Sequence, residues 1–217
     1  MRSEKELLKI IVEKDREAEI LQEELLSRPR AEVMSVTNEL FESEIKAAGP
    51  NDALSPELLR TLNLLSFLGG ADAMESLMKG LNHANPEIRL AAGEALLDLA
   101  VEDFEVLRPA VEKVLKAEES WALALEEIPY LLSEIDEPGV LDLLHTFLKI
   151  KDPMPVVAAI EVLTEIGNVT SKAEIRRLAK DPREVWIEGN EEAEEKVALG
   201  QIACEALEIM GEDEKEA

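Results

Sequence analysis

Four helical segments starting near Ala71, Phe104, Glu137 and Thr170 follow one another at a spacing of 33 residues. Between and around them run apolar segments with a shared ending: Leu64-Leu65-Ser66-Phe67-Leu68-Gly69, Ala95-Leu96-Leu97-Asp98-Leu99-Ala100, Leu131-Leu132-Ser133-Glu134-Ile135, Val162-Leu163-Thr164-Glu165-Ile166-Gly167 and Ala206-Leu207-Glu208-Ile209-Met210-Gly211. A fixed period of this length limits the possible folds severely. A helix pair so short cannot hide its own apolar face, so each pair must stack on the next and lend it a core. Apolar residues return every three or four positions, as on one side of a helix. Alternation of β-branched residues is nearly absent, which predicts no sheet. A hydrophobic fraction of 46% with only 3% aromatics suits stacked helices built on Leu, Ala, Ile and Val. The expected class is all-α, with the pairs stacked as an α-α superhelix.

The helix boundaries have local causes. Ser55-Pro56, Asn85-Pro86 and Asp152-Pro153 each place a capping side chain before a proline at the first helical position. Ser171 with Glu174 has capping-box spacing. Upstream, residues 3–28 read as one charged amphipathic helix, with Leu7, Leu8, Ile11, Ala18, Leu21 and Leu25 on one side. A heptad reading puts Lys14 and Arg28 on its seam, which argues against a long coiled coil, and the helix is expected to pack on the array or on a second chain. A second helix spans about 31–48 and stops at Gly49-Pro50. The stretch from Gly49 to Asp52 is the most linker-like in the chain. The expected division is therefore an N-terminal helical segment, 1–50, and a repeat region, 51–217.

The residues from Asn85 to Leu96 (Asn85-Pro86-Glu87-Ile88-Arg89-Leu90-Ala91-Ala92-Gly93-Glu94-Ala95-Leu96) carry a turn Asn, a Pro, a branched apolar residue, an Arg, paired alanines and a Leu. This resembles the second helix of a HEAT repeat of the short, bilin-lyase-like type. Asp152-Pro153 through Ala158-Ala159-Ile160-Glu161-Val162-Leu163 repeats the pattern with Val157 where Arg89 stands, and segments 120–135 and 190–211 share only its apolar spacing. The likeness covers about 55–211. The ankyrin and tetratricopeptide signatures are absent. The resemblance implies a binding scaffold, adaptor or regulatory subunit, and by fold analogy also admits a bilin-lyase-like protein that handles a tetrapyrrole.

Charge narrows the function. With 23 Lys plus Arg against 48 Asp plus Glu, the formal net charge is −25. A field of that sign repels phosphate backbones and anionic lipid, so neither nucleic acid nor membrane is the expected partner. It favours a basic partner, or serves solubility alone. No apolar run approaches the ~20 residues that span a bilayer. The N-terminus lacks a signal core, and the expected location is cytoplasmic. The single cysteine, Cys204, lies in an apolar helical run and reads as a small buried hydrophobe. His83 and His145 stand in different repeats without ligand-spaced companions, so no metal or other cofactor is expected. No phosphate loop, nucleophile elbow or HExxH motif occurs, and carboxylate pairs are too common to single out an acid and a base. The chain is not expected to be an enzyme.

The resemblance also implies that the second helices line a concave face. Aligning the five segments on their apolar positions leaves two columns pointing away from the core. One is Asn63, Glu94, Tyr130, Glu161 and Glu205; the other is Phe67, Asp98, Glu134, Glu165 and Ile209. Acidic in the middle and apolar at both ends, such a face suits a basic, partly apolar segment of a partner protein, with Phe67, Tyr130 and Ile209 as anchors. The alternative is a merely solvated helix face. Trp186 falls in an insertion expected to be an irregular loop, either a contact point or a plug; Trp121 reads as core inside a helix. Lys172, Arg176, Lys180 and Arg183 form a basic stripe on the last first-type helix. It could receive an anionic partner, but is expected to pair with the acidic run 191–195, placed at the start of the final helix.

Overall fold

The computed structural model describes residues 3–188 and 194–216. Among these the chain is mostly helical: α1 Glu4–Leu26, α2 Arg30–Ala47, α3 Pro56–Leu68, α4 Gly70–Leu81, α5 Pro86–Glu102, α6 Phe104–Lys116, α7 Ala122–Ser133, α8 Val140–Phe147, α9 Pro153–Ile166, α10 Val169–Arg176 and α11 Leu199–Glu216. From α2 onward the helices come in pairs. Each second helix packs on the second helix of its neighbour, α3 on α5, α5 on α7, α7 on α9 and α9 on α11. The first helices do the same, α2 on α4, α4 on α6, α6 on α8 and α8 on α10. One apolar cluster runs through these layers from Met34 and Phe41 to Ala206 and Met210. The boundary expected at residue 50 falls between α2 and α3, which pack directly on each other.

The three expected caps are present. The Ser55 Oγ accepts from the Leu58 backbone N at 3.0 Å, the Asn85 Oδ1 from Glu87 at 2.9 Å and the Asp152 Oδ1 from Met154 at 3.1 Å. Asn85 does more. Buried at 1% exposure, its Nδ2 donates to the Gly49 and Asp52 carbonyls at 3.0 and 2.7 Å and ties the α2–α3 connection to α5. Gly69 and Gly70, at φ 64° and 75°, make the tight α3–α4 corner, a backbone region that side chains with a Cβ avoid. The Arg30 guanidinium caps it by donating to the carbonyls of Leu68 and Gly69.

Arg89 ties its own helix pair to the next. Its Nη1 donates to the His83 and Ala84 carbonyls at 3.0 and 3.2 Å, and its Nε to Glu127 of the next pair at 3.1 Å. Val157 replaces this arginine in the later repeat and is buried. There Arg183 does the work from the following connection: its Nη1 donates to the Ile150 and Lys151 carbonyls, which stand just before the Asp152 cap as His83 and Ala84 stand before Asn85. Asp181 grips the same guanidinium at 2.7 Å, and that hydrogen bond holds the Asp181 carboxyl below its ordinary range.

Several local expectations need correction. A two-stranded antiparallel hairpin, β1 Glu184–Glu188 and β2 Glu194–Ala198, occupies the last connection. Val185 and Val197 face each other across it and are buried, so the insertion is held by the core rather than irregular. Glu194 and Glu195 thus belong to a strand and not to a helix start; residues 191–193 lie outside the described residues. The cap of α10 is Asn168, whose Oδ1 accepts from Thr170 at 2.9 Å. Ser171 is buried one turn in, its Oγ 3.0 Å from His145 Nε2. Because α10 ends at Arg176, Lys180 and Arg183 leave the helix and the basic stripe is interrupted. Trp121 precedes α7 and only partly packs against the core. Cys204 is exposed while Ala203 beside it is buried, since a step of 100° on a helix separates inside from outside.

Candidate binding cleft

The ten residues of the two predicted columns are all exposed, as their apolar spacing requires. The structure gathers only part of them. Tyr130 on α7, Glu161 on α9, Glu205 on α11 and Trp186 on β1 line one cleft of about 710 Å³, together with Glu126 and Glu127. Its floor is apolar: Met154, Val157, Ala158 and Ile202. Asn63 lines a different groove, against α1. Phe67, Glu94, Asp98, Glu134, Glu165 and Ile209 remain on the surface and do not line the cleft.

Each wall has a structural cause. The fully buried Leu125, Ile128 and Leu132 anchor α7 and turn Glu126, Glu127 and Tyr130 outward. On α9, Ala159, Ile160 and Leu163 play the same part and leave Glu161 facing its neighbour. Strand alternation does the rest: Val185 goes in, so Trp186 comes out, at 59% exposure. Lys196 pairs with Glu184 across the hairpin and steadies it.

The Tyr130 hydroxyl donates to Glu161 Oε2 at 2.5 Å. Burial, and then this bond to a carboxylate, hold the phenol protonated well above its ordinary range. Burial also raises the Glu126 carboxyl, and the nearby negative charges of Asp152 and Glu127 add to it, with Arg89 opposing. The cleft therefore concentrates negative charge that solvent only partly relieves. Two aromatic rings stand beside it. The arrangement can hold a cation through carboxylates and ring faces, over an apolar base that accepts the aliphatic stem of a lysine or arginine.

Sequence reasoning found Tyr130, Glu161, Glu205 and Trp186 but missed Glu126, Glu127 and the floor. Glu126 and Glu127 lie outside the two columns, so aligning helices on apolar spacing passed them over. The hairpin that brings Trp186 to the cleft had a signal: the β-prone run Val185-Trp186-Ile187 and the later Val197 stand on either side of the turn-prone pair Gly189-Asn190.

No protein-family model matches the chain, and no curated protein matches it. Among the described residues no group of His, Cys, Asp and Glu is arranged to hold a metal ion, and no helix is long and apolar enough to cross a membrane.

Proposed function

We propose that this chain is a non-enzymatic scaffold or adaptor, a HEAT-like superhelical solenoid that grips a basic, partly apolar segment of a partner protein. The observation that carries this reading is the meeting of Tyr130, Trp186, Glu126, Glu127, Glu161 and Glu205 around one cleft with an apolar floor. The helix pairs stacked through a continuous core support the solenoid. The charge of −25 steers a basic segment toward the whole molecule, and the cleft supplies the local contacts. A lysine or arginine enters between the carboxylates with its stem on Met154 and Val157. Neighbouring apolar residues of the segment meet Trp186 and Ile202. The tetrapyrrole reading gains nothing here, because the propionates of a bilin would face the same carboxylates.

A peptide array of basic, acidic and apolar segments tests this. Basic-apolar peptides are expected to bind, and the Glu161→Lys/Glu205→Lys variant should weaken them by about tenfold or more. A Glu94→Lys/Asp98→Lys variant changes the net charge equally but leaves the cleft intact, and should keep most of the affinity. Equal losses in both would reduce the effect to bulk charge and sink the cleft. Retention of acidic peptides alone would reject the reading entirely.

A further inference from the structure

The helix α1 spans 23 residues, begins with a complete capping box at Ser3 and Glu6, and buries none of them. Leu7, Leu8, Ile11, Val12, Ile20 and Leu21 are all exposed. Its C-terminal half lies beside α3. Ala18, Leu21, Gln22 and Leu25 form one side of an open groove of about 320 Å³, with Arg60, Asn63 and Leu64 on the other. Its N-terminal half continues the apolar seam with Leu7 and Ile11, both exposed.

We infer that α1 pairs antiparallel with α1 of a second copy of this chain, the N-terminal half of each filling the groove between α1 and α3 of the other. The seam positions decide the orientation. They are Glu4, Leu7, Ile11, Lys14, Ala18, Leu21 and Leu25, at alternating spacings of three and four. Turned about a twofold axis at Arg16, the seam matches itself at every layer from Leu7 to Leu25. Leu7 meets Leu25 of the second copy, and Ile11 meets Leu21. Lys14, ion-paired to Glu17 at 2.5 Å, lies opposite the small Ala18, which leaves room for its stem. A parallel, in-register pairing would instead set Glu4 and Lys14 each against its own like charge.

The remaining charges agree. Residues 4–16 hold Glu4, Glu6, Glu13 and Asp15 balanced by Lys5, Lys9, Lys14 and Arg16, whereas residues 17–26 hold Glu17, Glu19, Glu23 and Glu24 and no cation. Antiparallel pairing brings each wholly acidic half against the half that contains the lysines. Parallel pairing stacks the acidic halves together. Lys14, which argues against a long, continuous coiled coil, thus specifies a short antiparallel pair.

The test is the mass of the full chain in solution, by light scattering or sedimentation at roughly 10 µM. Twice the mass of one chain is expected, and Leu7→Asp/Leu21→Asp should return it to one. A single-chain mass for the unsubstituted protein overturns the proposal. Orientation is read by oxidative crosslinking in a Cys204→Ala background. Mixed Leu7→Cys and Leu25→Cys chains should form a covalent dimer, and Leu7→Cys alone should not. A crosslink from Leu7→Cys alone would show parallel pairing, and a doubled mass with no crosslink in the mixture would place the contact away from α1. Either result overturns the inference.

Discussion

At the scale of single residues, Glu126 is the most informative group in the cleft. Its carboxyl is half-buried, and burial, Asp152 and Glu127 together raise it above its ordinary value of 4.5. The sign follows directly. A carboxyl raised by folding supports the fold fully when protonated, below 4.5, and loses that contribution as pH rises through its folded value. Glu126→Gln should therefore raise the melting temperature at about pH 8, and the gain should vanish once the pH is well below the ordinary carboxylate range. A gain that persisted in acid would mean that packing, not charge, was relieved. Asn85 and Arg89 illustrate the opposite kind of residue. Asn85 was legible as a cap from its place before Pro86, yet its longer reach to Gly49 and Asp52, like that of Arg89 to Glu127, depends on neighbouring helix pairs.

At the scale of elements, close helix contacts and connections set the geometry. Gly80 on α4 is buried where α4 crosses α5: a Cβ there would stand 2.8 Å from the Ala92 Cβ and 3.3 Å from the Phe41 ring. Gly80→Ala is thus expected to lower stability to urea by about 1–3 kcal/mol despite the better helix propensity of alanine. Ala92→Gly on top of it should recover part of the loss. A neutral or stabilising Gly80→Ala would show that α4 and α5 can move apart freely. The hairpin β1–β2 and α10 show where element reading failed. Helical periodicity carried the basic stripe through Lys180 and Arg183, but α10 stops at Arg176. Arg183 is taken instead by the Ile150 and Lys151 carbonyls, which have no Arg89 equivalent in their own repeat.

At the scale of the whole molecule, the charge of −25 acts on every helix at once. Several cations are already committed to local pairs, such as Lys113 with Glu75 at 2.9 Å and Arg177 with Glu174 at 2.5 Å. The excess carboxylates are left to repel one another. Screening should help: the melting temperature is expected to rise as salt increases from about 10 mM to about 150 mM, over which the Debye length shrinks from ~30 to ~8 Å. A fall would mean that the attractive pairs outweigh the repulsion.

The helical class, the three proline-marked caps and the outward side of each second helix can be read from the order of residues alone. These follow from periodicity and local hydrogen bonding, which act within a few residues and are written in spacing. It takes the packed helices to show that Tyr130, Glu161, Glu205 and Trp186 share a cleft with Glu126 and Glu127, while Glu94, Asp98 and Glu134 do not. That grouping depends on how α7, α9, α11 and β1 meet, a product of packing between segments far apart in the chain. The same holds for Cys204: one step around a helix, invisible in an apolar run, puts it in solvent and Ala203 in the core.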